Sequence, residues 1–368
     1  MKKICFLDGH LILREHKTGV HYFHQEVAKR LCLDNLFDCN IAYFEKKDEH
    51  SVHIKDNEWI KKYTNVCKGK KRILSYLLPI EIFFKKNDVY ICDGLCPHTF
   101  YRSKKVAIVF DMMVEIYPEN YSTLKRIYLK NFFNKLKKMD LIFCISETTK
   151  NDIVKYYHID ESKIINCYCG VDETDYIGDD IENKYIDKNE KYFLYIGDMR
   201  KNKNMFNMIE GFFLYCEKNI DAKEMLYIAG KKGEEYINLK KMIDKSVYKN
   251  RVRFLGYISE NDKSYLYKNA EAILLLSFYE GFGIPVIEAM RHYKPIITSN
   301  CSSMREIGEG AAILADPSDV TDIAKKIALS VNNYEINVDK YNEKIKKYNF
   351  DNVASIIEKN LLDMLGDY

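Results

Sequence analysis

Short, nearly continuous apolar runs recur along the chain, each followed by glycine or polar residues and then by apolar positions at helical spacing. The runs are Ile4-Cys5-Phe6-Leu7-Asp8, Phe37–Tyr43, Val89–Cys92, Val106–Phe110, Leu141–Ile145, Ile164–Tyr168, Tyr192–Ile196, Met225–Ala229, Val252–Leu255 and Ala272–Leu276. Such runs predict strands, and the uninterrupted apolar run 272–276 predicts one buried on both faces, as in a parallel sheet. Between them, Phe23, Val27 and Leu31 mark one helix, and Met208, Ile209, Phe212 and Phe213 mark another. The alternation predicts an α/β protein. A chain of 368 residues divides into two domains, each with its own core. The stretch Tyr176 to Lys191 is polar, charged and lacks apolar periodicity, so it reads as the linker. The expected organisation is residues 1–175, linker 176–191, residues 192–345, and a terminal segment 346–368. In that segment Val353, Ile356, Ile357, Leu361 and Leu365 line one side of an amphipathic helix.

The stretch Leu276 to Met290, LSFYEGFGIPVIEAM, carries the most chemistry. After the apolar run 272–276 come Gly281 and Gly283 flanking Phe282, then Ile284 and Pro285, with Pro285 expected at the first helical position. Strand, glycine loop and helix N-terminus together place backbone N–H groups and the helix dipole before an anion. Glu280 opens the loop and Glu288, seven residues between them, is expected in the helix's first turn, leaning back toward the loop. Two carboxylates would repel a bare phosphate, but they are strong acceptors for sugar diols. A phosphate flanked by sugars is a nucleotide-sugar. The plain alternative is a strand-to-helix corner with surface glutamates.

The Glu280-to-Glu288 stretch resembles the Glu, seven residues, Glu motif of retaining glycosyltransferases of family 4. The resemblance continues through Lys294-Pro295-Ile296-Ile297-Thr298-Ser299-Asn300, Ser302-Ser303-Met304-Arg305-Glu306-Ile307, Gly308, Ala311-Ala312 and Asp316-Pro317-Ser318-Asp319. It implies the GT-B architecture, α/β with two Rossmann-like doubly wound domains facing across a cleft, and a terminal helix crossing back to the N-terminal domain. It also implies transfer of a hexose from a nucleotide-sugar, GDP- or UDP-linked, to a glycan or glycolipid acceptor, with mannose favoured. Glu280 is then expected to hold the donor sugar's hydroxyls, and Glu288 the ribose hydroxyls. Three further segments are similar to the family's. Lys17-Thr18-Gly19-Val20 resembles a TGV segment that brings backbone close to the donor pyrophosphate, with Gly19 as the matching residue. Gly170-Val171-Asp172 resembles the segment closing the N-terminal domain. Lys203-Asn204 matches a diphosphate-contacting lysine.

The departures are specific. Phe110 stands where members often carry a sugar-facing histidine; Asp111 after it is retained, either as a site residue or as the cap of the next turn. An arginine common after the strand-end glycine is replaced by Asp198, leaving Arg200 or Lys201 as substitutes. Leu276, Tyr293 and Arg305 replace a common proline, glycine and proline. Tyr257, after Gly256, could stack on a base or fill the interdomain cleft. Ser146 is expected to cap a helix.

Composition narrows the alternatives. The chain is 47% hydrophobic and 30% charged, with no run of 18 apolar residues, and its N-terminus reads as neither signal peptide nor anchor, so a cytoplasmic location is expected. Eleven scattered cysteines, Cys92/Cys96 and Cys167/Cys169 among them, read as reduced structural thiols. No two aspartates stand two apart, so the Asp-any-Asp metal signature is absent and metal-free diphosphate stabilisation is expected. The loop at 281–286 lacks the third glycine of a nicotinamide fingerprint. The net charge is +3, yet residues 61–138 hold 17 basic against 6 acidic side chains. Among them Lys125, Arg126, Lys130, Lys135, Lys137 and Lys138 alternate with Leu124, Ile127, Tyr128, Leu129, Phe132, Phe133 and Leu136. This is either a core helix with a solvated face or a peripheral contact for an anionic membrane. No aromatic platform supports nucleic acid binding. A non-catalytic nucleotide-sugar binder is the rival to an enzyme; it would typically lose Glu280, Lys203 or Glu288, and all three are present, while the loss of histidine at Phe110 leaves it some room.

Overall fold

The structure is a computed structural model describing all residues except 14–17, 46–57, 69–73, 75–76, 95–96, 172–189, 333 and 367–368. The chain forms two compact units, residues 1–170 with 349–368, and residues 171–348. Most of the stretch read as a linker lies outside the described residues.

The first unit is built on a parallel sheet of β1 (Lys2–Phe6), β2 (Phe37–Glu45), β3 (Thr64–Lys68), β4 (Val89–Cys92), β5 (Lys104–Val109), β6 (Leu141–Cys144) and β7 (Ile164–Asn166). The order is β3-β2-β1-β4-β5-β6-β7. Here β1 pairs with both β2 and β4, so the winding direction reverses between β1 and β4. Each turn of the winding buries a strand between helical layers, which is why β4 and β6 are buried at every position. On one face, Cys5, Tyr90, Ala107 and Ile142 pack with Phe84, Phe132, Phe133, Leu136 and Ile153. These residues come from the 80–84 segment, from helix α2 (Thr123–Lys135) and its 3-10 extension, and from α3 (Glu147–Tyr157). Ser146 caps α3, its Oγ accepting from Thr149 N at 3.0 Å.

Helix α1 (Gly19–Leu33) and the terminal helix α9 (Phe350–Leu365) also belong to this unit. Phe23, Val27 and Leu31 are buried in α1, and Val353, Ile357 and Leu361 in α9. Phe350 sets its ring edge-on to Tyr22 at 5.4 Å, and Arg30 donates to Asp351 at 2.6 Å. Asn349 caps α9 through Asn352 N at 2.8 Å.

The second unit repeats the plan with β8 (Tyr192–Ile196), β9 (Met225–Ala229), β10 (Val252–Gly256), β11 (Ala272–Leu275), β12 (Ile296–Ser299) and β13 (Ile313–Ala315), all parallel, ordered β10-β9-β8-β11-β12-β13. Its helices include α4 (Met205–Lys218), α5 (Glu260–Asn269), α6 (Ile284–Arg291), α7 (Ser302–Gly308) and α8 (Val320–Val331). Helices α4 and α8 touch at Gly211, where a β-carbon would sit 2.4 Å from Ile323 Cγ2. Three strands, β3, β12 and β13, were not anticipated as strands. The ten cysteines described are free thiols, and burial pushes the Cys169 thiol up to about 12.

Candidate active site

In the second unit two loops meet at the C-terminal ends of the central strands β8 and β11, where α/β sheets place their ligands. One loop, 198–204, is shaped by its asparagines. Asn202 Nδ2 donates to Tyr279 O at 3.1 Å, and Asn204 Nδ2 donates to Leu276 O at 3.0 Å and Pro317 O at 2.6 Å. Asn204 adopts a left-handed backbone, φ 55°, which asparagine tolerates better than most residues, and α4 starts directly after it. Phe278 N donates to Asn202 O at 2.8 Å, closing the seam between the loops. In Lys201-Asn202-Lys203-Asn204 the amides therefore build the scaffold, and Lys203 is presented by it.

Lys203 Nζ lies 2.5 Å from Glu280 Oε1, and Ser277 Oγ donates to the same oxygen at 2.7 Å. Ser303 Oγ, from α7, donates to the Glu280 backbone carbonyl at 2.9 Å. The two charged side chains are about one-fifth exposed, so they are positioned by packing yet reachable. Gly281, Phe282 and Gly283 follow, with Phe282 buried. Gly283 takes φ +121° directly before α6. The helix begins at Ile284, so Pro285 is its second residue and Glu288 stands in the second turn, not the first. Glu288 is held by Lys263 Nζ at 2.8 Å and by the Tyr267 hydroxyl, which donates at 3.0 Å. Burial, reinforced by the Glu288 charge, pushes the Tyr267 hydroxyl far above its ordinary range, so it stays a donor. Tyr267 stacks on His292 at 5.3 Å between ring centroids.

Each carboxylate thus has one lysine and one hydroxyl. Ser277, Ser303, Lys263 and Tyr267 were not among the expected site residues. Ser277 was within reach of a sequence argument, three residues before Glu280. Lys263 and Tyr267 sit on another helix, and only the fold brings them to Glu288. Arg200 pairs with Asp198 at 2.9 Å, both well exposed, and Tyr257 is 74% exposed after Gly256.

Of the residues expected in the first unit, Asp111 follows β5 and Gly19 opens a helix. Gly19 opens α1, preceded by Thr18, whose N and Oγ1 lie 3.1 and 2.7 Å from His21 Nδ1. Asp111 Oδ1 accepts from Met113 N at 2.8 Å, so the capping role is present. Phe110 packs against Phe23 at 5.1 Å and His24 at 5.4 Å, and His24 Nε2 lies 3.2 Å from Asp93 Oδ2. Aromatic packing occupies the place of the family's histidine, with another imidazole beside it.

Two doubly wound parallel sheets are the plan of the GT-B fold. A crystal structure of Anabaena HepE in complex with UDP and glucose superposes with a TM-score of 0.71 over 99% of this chain and 100% of that one, at 15% identity. Residues 178–351 match the family model of the glycosyl transferases group 1. The O-antigen chain mannosyltransferase B of Escherichia coli is 28% identical over 242 residues, 64% of this chain and 62% of the relative. The O-antigen chain mannosyltransferase RfbU of Salmonella typhimurium is 25% identical over 287 residues, 77% of each chain. The stretch 178–351 is thus the part of the chain that is similar to the group 1 glycosyltransferases.

Proposed function

We propose that the protein is a retaining, metal-independent glycosyltransferase that moves a hexose from a nucleotide-sugar to a glycan or lipid-linked acceptor in polysaccharide or glycoconjugate synthesis. The observation that carries this reading is the Lys203–Glu280–Ser277 cluster beside the N-terminus of α6. A donor diphosphate would take Lys203 and the α6 amides, and Glu280, released from the lysine, would accept from the sugar hydroxyls and orient the anomeric carbon. Glu288 would bind the ribose diol, Gly19 would let backbone approach the pyrophosphate, Tyr257 would serve the base, and Asp111 the acceptor side. Arg200 would add positive charge near the leaving group. The mannosyltransferase relatives favour mannose carried on GDP, while the structural likeness to HepE keeps UDP-linked glucose in the comparison. The enzyme would work in the cytoplasm, and the excess of basic residues over 61–138 supports peripheral contact of its N-terminal unit with a membrane.

Thermal shift against UDP, GDP, ADP and their sugar conjugates, with and without chelator, tests the donor. One nucleotide should stabilise the protein strongly and chelator should leave that shift unchanged. Glu280→Ala should lower transfer on the order of 10² to 10³-fold, while nucleotide affinity is kept because Lys203 remains. Lys203→Ala should lose nucleotide affinity instead. Phe110 in the histidine's place favours a second reading, a non-catalytic nucleotide-sugar binder. Nucleotide stabilisation with no transfer from any stabilising donor would establish that one.

A further inference from the structure

Lys263 and Tyr267 stand four residues apart on α5, and Glu288 and His292 stand four apart on α6 and its C-terminal cap, so each pair shares one face of its helix. The two faces meet side chain to side chain. Lys263 Nζ lies 2.8 Å from Glu288 Oε1, and the Tyr267 hydroxyl donates to Glu288 Oε2 at 3.0 Å. The same hydroxyl lies 3.5 Å from Pro285 O, and the Tyr267 ring stacks on His292. The start of α5 is fixed as well. Ser259 caps it, its Oγ accepting from Asp262 N at 3.1 Å and donating to Asp262 Oδ2 at 2.7 Å. Each oxygen of one carboxylate thus receives a different donor from a single capped helix.

Helix packing does not by itself account for this arrangement. The Lys263 and Glu288 side chains are each only 18% exposed. A pair set this deeply gives up hydration that its mutual attraction does little more than repay, and apolar side chains of similar volume would join the helices as well. Lys263 also lies 2.7 Å from Glu260, so one cation serves two carboxylates and the cluster keeps an acidic balance. Burial works to lower the Lys263 pKa, but Glu288 and Glu260 outweigh it and hold it above the usual lysine range, so the side chain stays a cation. A carboxylate offers about four lone-pair sites. Lys263 and Tyr267 occupy one on each oxygen, which leaves one on each for a ligand with two adjacent donors. An acidic cluster repels phosphate and accepts from hydroxyls, so a vicinal diol is the group that fits.

We propose that Lys263 and Tyr267 are positioning residues for nucleotide recognition: they fix the Glu288 carboxylate with its remaining lone pairs turned to the ribose diol, and so set a preference for ribonucleotides over 2′-deoxyribonucleotides. This role rests on the assignment of Glu288 to the ribose and adds the two side chains that make that carboxylate selective.

Titration calorimetry of the full chain with GDP and 2′-deoxyGDP, and with UDP and 2′-deoxyUDP, is the test. The native chain should bind the ribonucleotide of its preferred base about tenfold or more tightly than the deoxy form, as expected for one hydrogen bond to a charged group. Lys263→Met keeps the length of the side chain, and Tyr267→Phe keeps the ring stack on His292. Each should reduce that ratio by roughly threefold or more, mainly by weakening the ribonucleotide. Tyr267→Phe carries the test by itself if Lys263→Met does not fold. A merely structural pair would lower the melting temperature and leave the ratio at its native value, and that result in every folded variant overturns the proposal. Glu288→Ala separates the two assignments. If the native chain binds none of the four nucleotides or shows no preference, or if Glu288→Ala keeps the preference, Glu288 is not on the ribose and both assignments fall together. A preference lost in Glu288→Ala but kept in the α5 variants leaves the ribose assignment standing and overturns the positioning role alone.

Discussion

At Gly283 the backbone adopts φ +121° and ψ 47°, and a β-carbon there would sit 2.9 Å from Met304 Sδ. Only glycine adopts this conformation readily, and it stands directly before α6. Gly283→Ala should therefore cost about 1–3 kcal/mol in chemical denaturation and weaken nucleotide binding. Tyr293, in the place of a common glycine, keeps the left-handed turn with φ 50°, its hydroxyl donating to Asn342 Oδ1 at 2.8 Å. Burial against Tyr267 holds the His292 pKa below the ordinary 6.5, outweighing the pull of Glu288. The unfolded chain then binds a proton more readily than the fold. The stability His292 contributes is complete above about pH 6.5 and is lost as pH falls below that value. His292→Phe keeps the ring stack, so melting curves at about pH 7.5 and about pH 5.5 should lie closer together in the variant than in the native chain.

At the scale of elements, α9 is a structural member of the first unit. Phe350 is buried, meets Tyr22 and Phe23 edge-on, and crowds Gly170, where a β-carbon would lie 2.4 Å from the Phe350 ring. Phe350→Ala should cost about 3–5 kcal/mol, measured by denaturant unfolding of the first unit. The sequence disclosed most elements of both sheets because their strands are apolar at nearly every position, as in β4 and β9. It concealed β3, Thr64–Lys68, where only Val66 and Cys67 are apolar between Thr64-Asn65 and Lys68. It concealed β12 and β13 because each is short and ends in small or hydroxylated residues; Thr298 and Ser299 turn their hydroxyls to Leu275 O and Ser277 O. The candidate site divides in the same way. Glu280 and the glycine loop stood out along one stretch, whereas Lys203 was reached only through the resemblance at Lys203-Asn204. The partners of Glu288 were not, because Lys263 and Tyr267 are brought to it by α5 packing beside α6, a contact that no local pattern records.

At the scale of the whole molecule, two sheets with the same central order, each reversing beside its first strand, bring two sets of loops to strand C-termini. That repetition is why one reading of alternating strands and helices served both halves. The carboxylate–lysine pairs lie in the second unit, and the His24–Asp93 pair lies in the first. The chain leaves the first unit at Gly170 and re-enters it at Asn349. A ribosome making this protein must therefore release all of the second unit before α9 emerges. The earlier-made sheet waits with the surface destined for Phe350 uncovered, so the second unit is free to complete its fold first and the N-terminal unit last.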